Sequence, residues 1–133
     1  MNLQSLNQKI IFKTGSFGFL MGIITVMGWS QQLEPILWLI IGIGTTYVLN
    51  KNIKEDLLQH CLIIGLCWGI DCTIVQVIFF DTFLMNNSIS ASIYTQFINI
   101  NPRLFILLTG IITGAISGFI LWLFINILKK IKS

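Results

Sequence analysis

The charged residues of this chain lie almost entirely outside its long apolar segments. The sequence has 8 basic and 5 acidic residues, and only Asp71 lies well inside an apolar segment. A helix needs about 20 residues to cross the hydrocarbon core of a bilayer. Four apolar segments approach or exceed this length, namely residues 10–29, 35–49, 57–80 and 104–128.

The composition supports the same interpretation. Hydrophobic residues make up 55% of the 133 residues and charged residues only 10%, whereas soluble domains average about 25% charged residues. So few charges cannot cover the surface of a water-soluble globule of this size. The sequence therefore predicts one all-α integral membrane domain over residues 1–133, built as a bundle of four transmembrane helices in contact with the lipid bilayer.

The four predicted spans differ in length. At about 1.5 Å per residue, residues 35–49 cover about 22 Å, whereas residues 57–80 and 104–128 reach about 36 Å. The two longer spans can tilt in the bilayer. The short second span is either a true crossing or a re-entrant segment.

The basic residues predict the orientation. With four crossings, seven lysines fall on one side of the membrane and Arg103 alone on the other. Basic residues favour the cytoplasmic side, so we expect a cell-membrane protein with both termini and residues 50–56 in the cytoplasm. A cleavable signal peptide is the competing interpretation of the N-terminus, and the length of the apolar segment and the lack of Ala-x-Ala argue against it.

The segment between the third and fourth spans is the largest piece predicted to lie outside the membrane. Ser88 is a suitable N-cap for a short helix. An amphipathic helix in the outer interface is the natural interpretation, either covering the end of the bundle or acting as a gate or docking surface. Its apolar face has three- and four-residue spacing and comprises Ile89, Ile93, Phe97 and Ile100.

Asp71 is the first candidate for chemistry, because it lies about midway along the third span. A carboxylate at that depth costs roughly 2.5–3.5 kcal/mol on insertion scales and usually faces a cavity or the bundle interior. Helical spacing places His60 and Cys67 on the same stripe as Asp71. The stripe is either an ion, proton or cationic-substrate site, or a structural anchor hydrogen-bonded to a neighbouring helix.

All three cysteines belong to the third span. Cys61, Cys67 and Cys72 include no CxxC pair, and with the single His60 they form no plausible zinc site. Cys61 and Cys72 are about 16 Å apart along one helix, so they cannot form a disulfide within it. We expect apolar packing, with no metal; an intersubunit disulfide or a redox role is the alternative.

Glycines are spaced four residues apart in three of the spans. This spacing flattens one helix face and lets helix backbones approach closely in a membrane. The faces serve packing within the chain, a homo-oligomer or docking against a larger membrane complex. The glycines concerned are Gly18, Gly22, Gly65, Gly69, Gly110, Gly114 and Gly118.

Asp81 and Arg103 flank the outer segment at the end of span 3 and the start of span 4. They are predicted to pair as a clamp on that segment rather than to bind an anion.

The sequence contains none of the motifs typical of nucleotide binding, serine hydrolysis or zinc proteolysis. No cofactor or nucleic-acid site is predicted. The first hypothesis is a structural or accessory subunit that packs through its glycine faces against itself or a larger complex. The alternative is a small oligomeric channel or transporter for an ion, proton or small cationic solute that uses Asp71. A membrane redox enzyme is the least favoured.

Overall fold

The computed structural model describes residues 6–30, 33–96 and 101–132. Helices make up 88% of the described residues, which contain no strand. The helices are listed in chain order as α1 Gln8–Gly15, α2 Phe17–Val26, α3 Glu34–Asn52, α4 Leu57–Ile78, α5 Phe80–Asn86, α6 Ser88–Gln96 and α7 Pro102–Lys132.

Three segments of this fold are long and apolar enough to cross a membrane. They are Gln8–Val26, which comprises α1 and α2, Leu57–Ile78, which is α4, and Pro102–Ile131, which is nearly all of α7. They correspond to the first, third and fourth predicted spans. α3 forms in the place of the second span, but Glu34, Lys51 and Asn52 at its ends shorten its apolar part. A fourth crossing is therefore not established by length and hydropathy.

Helix ends follow the local sequence. Asn7 caps α1 by accepting a hydrogen bond from the amide of Ile10 at 3.2 Å. Pro35 occupies the first turn of α3, where a helix tolerates proline. Gly28 follows α2 with a φ of 72°, a left-handed conformation that glycine adopts without strain.

The end of α2 is held by amide side chains from the end of α5. Asn86 donates to the carbonyl oxygen of Val26 at 2.9 Å, and Asn87 donates to that of Thr25 at 2.8 Å. Asn87 also donates to the carbonyl oxygen of Phe83 at 2.9 Å. These bonds satisfy carbonyls that a helix C-terminus otherwise leaves without a partner.

α4 is the central helix, packed against α7 on one side and against α1 and α2 on the other. One buried cluster joins α3, α4 and α7, with Leu49, Ile64 and Ile125 fully enclosed. A second joins Val26, Val75, Phe83 and Ile106 near the other end of α4. Large apolar side chains on the outward faces of α3 and α7 stay exposed, as expected for helices that contact lipid.

The predicted glycine faces lie between helices of this same chain. Gly114 and Gly118 are so close to the backbone of α4 that an added Cβ would lie 2.6 Å from the carbonyl oxygens of Gly65 and Cys61, respectively. A Cβ added at Gly69 would likewise overlap the carbonyl oxygen of Gly110.

On the opposite side of α4, a Cβ at Gly18 would lie 2.6 Å from the Cα of Trp68, and one at Gly22 would lie 2.9 Å from the carbonyl oxygen of Cys72. Packing within the chain thus uses both glycine surfaces. A contact with another chain must use a different surface.

Candidate functional site

An open groove runs between α4 and the N-terminal helices. It has a volume of about 820 Å³, and we call it the Asp71 groove. Its floor carries Asp71 and Cys67 one helical turn apart on α4, and Gly15 leaves the space beside Cys67. The remaining walls are mostly apolar, and they are formed by Leu6, Gln8, Ile11, Phe12, Ser16, Phe19 and Ile63.

Asp71 is half-buried in this groove. No residue that the structure describes forms a hydrogen bond or an ion pair with its carboxylate. Phe12 and Phe19 at the rim are 81% and 54% exposed, so the groove opens on the outer surface of the helix bundle. A carboxylate placed in this way is available to a positively charged group from outside the chain.

His60 does not share the groove with Asp71 and Cys67. Its side chain is 1% exposed, and its Nε2 accepts a hydrogen bond from the amide of Asn7 at 3.0 Å. Its Nδ1 lies 2.9 Å from the carbonyl oxygen of Asp56, which fits a neutral imidazole protonated on Nδ1. His60 therefore ties the start of α1 to the start of α4.

The three cysteines are free thiols. Cys61 and Cys72 are buried against neighbouring helices, and Cys67 alone reaches the Asp71 groove. Within the described residues, no three histidine, cysteine or acidic side chains come together in a way that holds a metal ion. Cys61 belongs to the buried cluster that joins α3, α4 and α7, and the Cys72 sulfur lies 3.5 Å from the amide nitrogen of Gln76.

A second cavity lies on the opposite side of α4, between α3, α4 and α7. Its volume is about 410 Å³, and we call it the polar cleft. Gly69, Gly110 and Gly114 contribute to its floor. Its other lining residues are Glu34, Trp38, Trp68, Cys72, Thr73, Gln76, Thr109, Thr113 and Ser117.

Glu34 and Trp38 line the cleft from α3. The indole nitrogen of Trp38 donates to the Glu34 carboxylate at 3.4 Å. Burial raises the pKa of Glu34 above its ordinary value, and the hydrogen bond from Trp38 offsets part of that rise. Glu34 precedes the apolar residues of α3 and is the only charged residue of those described in the cleft wall.

The two cavities contact overlapping stretches of α4 from different sides. The Asp71 groove touches this helix from Ile63 to Asp71, and the polar cleft touches it from Trp68 to Gln76. Trp68 lies at the overlap, where its indole nitrogen donates to the carbonyl oxygen of Thr14 at 2.8 Å. Its ring packs on that of Trp38 with a centroid distance of 5.6 Å. The middle of α4 thus separates two cavities that open on different sides of it.

The segment between α4 and α7 was predicted to be held by an Asp81–Arg103 ion pair, and the structure shows a different contact for Arg103. Arg103 lies over the ring of Phe80, with 5.1 Å between the guanidinium carbon and the ring centroid. An Asp81–Arg103 ion pair is not among the contacts of the described residues. This cation–π contact joins the start of α7 to the start of α5.

α6 begins at Ser88, so Ser88 is the first residue of the helix and not the N-cap that the sequence predicts. Ile89 and Ile93 on its predicted apolar face are exposed, and Phe97 and Ile100 lie outside the described residues. Tyr94 packs between the rings of Phe83 and Phe105, at centroid distances of 6.2 and 5.8 Å.

Sequence reasoning missed the polar cleft as a site. A signal was present, because Thr109, Thr113 and Ser117 repeat every four residues beside the glycines of α7. The position of Glu34 at the cleft depends on how α3 packs, and the sequence gives no pattern for that.

Comparisons with protein-family models, with curated proteins and with solved structures found no match to this chain.

Proposed function

We propose that the protein is a four-span integral membrane protein with both termini and the connection between α3 and α4 in the cytoplasm. The distribution of basic residues supports this orientation, since seven lysines fall on one side and Arg103 on the other. α3 supports the fourth crossing in two ways. It is one continuous helix whose apolar residues 35–49 cover about 22 Å, and its exposed face carries Ile36, Leu39, Ile40 and Ile43, which favour lipid over water.

Within this membrane domain, we propose that Asp71 binds a positively charged group, so that the protein acts as a small channel or transporter for a proton, an ion or a small cationic solute. One observation carries the proposal: the carboxylate lies midway along a membrane-length helix, in a groove, with no partner among the described residues. An unpaired carboxylate in a membrane is costly unless it is neutralised or paired.

The walls of the groove narrow the class of cation. Apolar side chains surround Asp71, and Phe12 and Phe19 present aromatic rings at the rim. Aromatic faces attract cations, and apolar walls favour a cation with an organic shell. The groove therefore suits an amphiphilic cation better than a strongly hydrated one.

An accessory subunit is the second candidate, and the exposed rim of the groove favours it. A basic residue on the transmembrane helix of a partner, or of a second copy of this chain, would neutralise Asp71 in place of a free cation. Since the glycine faces are occupied within the chain, this contact would be made at the groove. Under this hypothesis the native protein is extracted as an oligomer or as part of a larger complex.

Replacement of Asp71 by asparagine tests both candidates. In nanodiscs, wild-type protein should bind tetraphenylphosphonium as a lipophilic-cation probe, Asp71→Glu should retain binding and Asp71→Asn should lose it. Asp81→Asn is the matched control, because Asp81 lies outside the groove.

The accessory candidate predicts a different result: the mass of the native species should fall in Asp71→Asn because a bound chain is lost. If neither probe binding nor native mass depends on Asp71 while thermal stability does, the residue is a structural anchor and both candidates are wrong.

A further inference from the structure

The polar cleft is separate from the Asp71 groove, and six of the side chains that line it carry oxygen atoms. Three threonines, Gln76 and Ser117 line it together with the carboxylate of Glu34. Of the side chains described in its wall, none is basic. A cavity of this size between membrane helices has room for several water molecules.

The threonine hydroxyls have their hydrogens committed elsewhere. Thr73, Thr109 and Thr113 each donate to a backbone carbonyl three or four residues earlier on their own helix, in each case at 2.8 Å. A hydroxyl that donates its one hydrogen in this way retains only lone pairs for other contacts. The threonines therefore present acceptors to the cleft.

Gln76 adds a second, independent indication of a ligand. Its side chain is 8% exposed, yet it lines the cleft. Its amide nitrogen approaches only the Cys72 sulfur, at 3.5 Å, and no described residue bonds to its carbonyl oxygen. A buried amide is costly without hydrogen-bond partners, so this oxygen calls for a water molecule or a cation in the cleft.

We infer that the polar cleft is a water-filled vestibule that admits a small monovalent cation from the outer face to the middle of α4. The Thr109 hydroxyl also contacts the Tyr94 side chain, so Thr73, Thr113, Gln76 and Ser117 supply the neutral oxygens. Such oxygens together with one carboxylate match a monovalent cation, whereas divalent cations usually take several carboxylates. Glu34 is the first residue of α3, so its end of the vestibule faces the outer side in the proposed orientation. The inference rests on that orientation but requires no role for Asp71.

Cysteine accessibility tests the vestibule. In a chain with Cys61, Cys67 and Cys72 replaced by alanine, Ser117→Cys places a thiol in the cleft wall, and Ile116→Cys places one on the exposed apolar face, one residue away. Sealed right-side-out vesicles are treated with two membrane-impermeant methanethiosulfonates of similar size, one carrying trimethylammonium and the other sulfonate. If the background chain does not accumulate, the same two substitutions are made with the native cysteines kept, and labelled peptides are identified by mass spectrometry.

The inference predicts that Ser117→Cys reacts from outside at least about tenfold faster than Ile116→Cys, because the reactive thiolate forms in water and not in lipid. The cationic reagent should also be preferred over the anionic one by at least about tenfold, relative to a free thiol in solution. Glu34→Gln should reduce this preference.

Equal rates at the two positions would show that the cleft is dry, and the lack of a preference for the cation would show that it does not select charge. Reaction only from the cytoplasmic side would refute the outward opening. Each of these results overturns the inference and leaves the cation-binding test of Asp71 unaffected.

Discussion

Replacing Gly114 by alanine places a methyl group against the backbone of α4. The new Cβ would lie 2.6 Å from the carbonyl oxygen of Gly65 and 3.1 Å from the Cα of Leu66. These neighbours are backbone atoms, so relief requires α7 as a whole to move away by about 0.8 Å to reach an ordinary contact of 3.4 Å. A gap of 0.5–1 Å loses about a quarter to a half of the dispersion energy at each displaced contact.

Overpacking of this kind typically costs about 1–3 kcal/mol. Alanine improves helix propensity over glycine by about 1 kcal/mol at most, so an overpacking cost in the middle of that range leaves an expected net loss of about 1 kcal/mol in the free energy of unfolding. Gly44→Ala is the matched control, because nothing lies within 4 Å of the Cβ position at Gly44. It should be neutral or slightly stabilising.

The free energy of unfolding of both variants can be measured in mixed micelles by titration with a denaturing detergent. The close α4–α7 contact would be refuted if Gly114→Ala were as stable as wild-type protein, or if Gly44→Ala were destabilised to the same extent.

Three further outcomes follow from the hydrogen bonds and charges of the fold. Asn87→Ala removes two bonds to backbone carbonyls and should lower the free energy of unfolding by about 1–3 kcal/mol in the same titration; an unchanged value would mean that water replaces the amide without cost. His60→Phe removes the acceptor of the Asn7 amide, so hydrogen exchange at that amide should accelerate when followed by mass spectrometry, and unchanged exchange would contradict the bond. Because burial raises the pKa of Glu34, the carboxylate loses its charge at a higher pH than an exposed glutamate. As the pH is lowered, the cation preference at Ser117→Cys should therefore decline earlier than it would with an exposed glutamate. Glu34→Gln should show no such decline, and a preference that stays constant in the native Glu34 background would contradict the raised pKa.

Sequence periodicity and charge placement predicted the helical class and three of the membrane-length helices, because these depend on local composition. The start of α6 differs by one residue from the prediction, because Ser88 was assigned as the N-cap and is the first residue of the helix. The boundaries of α7 extend beyond residues 104–128 because Pro102 can open a helix and the lysines at its end continue it.

Features that depend on how helices pack were not accessible in the same way. The GxxxG spacing indicated close helix contacts, but the choice between a neighbouring helix and another chain required the three-dimensional arrangement. Likewise, helical spacing places His60 and Asp71 on one stripe of α4. Their different environments depend on how α1 packs, since His60 is buried and bonded to Asn7 while Asp71 lies in an open groove.

The glycine contacts divide the bundle into parts of unequal stiffness. α4 meets the segment formed by α1 and α2 on one side and α7 on the other, and in both contacts backbone lies against backbone. Such surfaces cannot slide past each other without steric overlap. α3 is attached chiefly through side chains, and a Cβ added at its Gly42 or Gly44 would meet no atom of another element within 4 Å. Rocking of α3 about its buried Leu49 end therefore requires the least repacking, and it would change the width of the polar cleft while leaving the Asp71 groove unaltered.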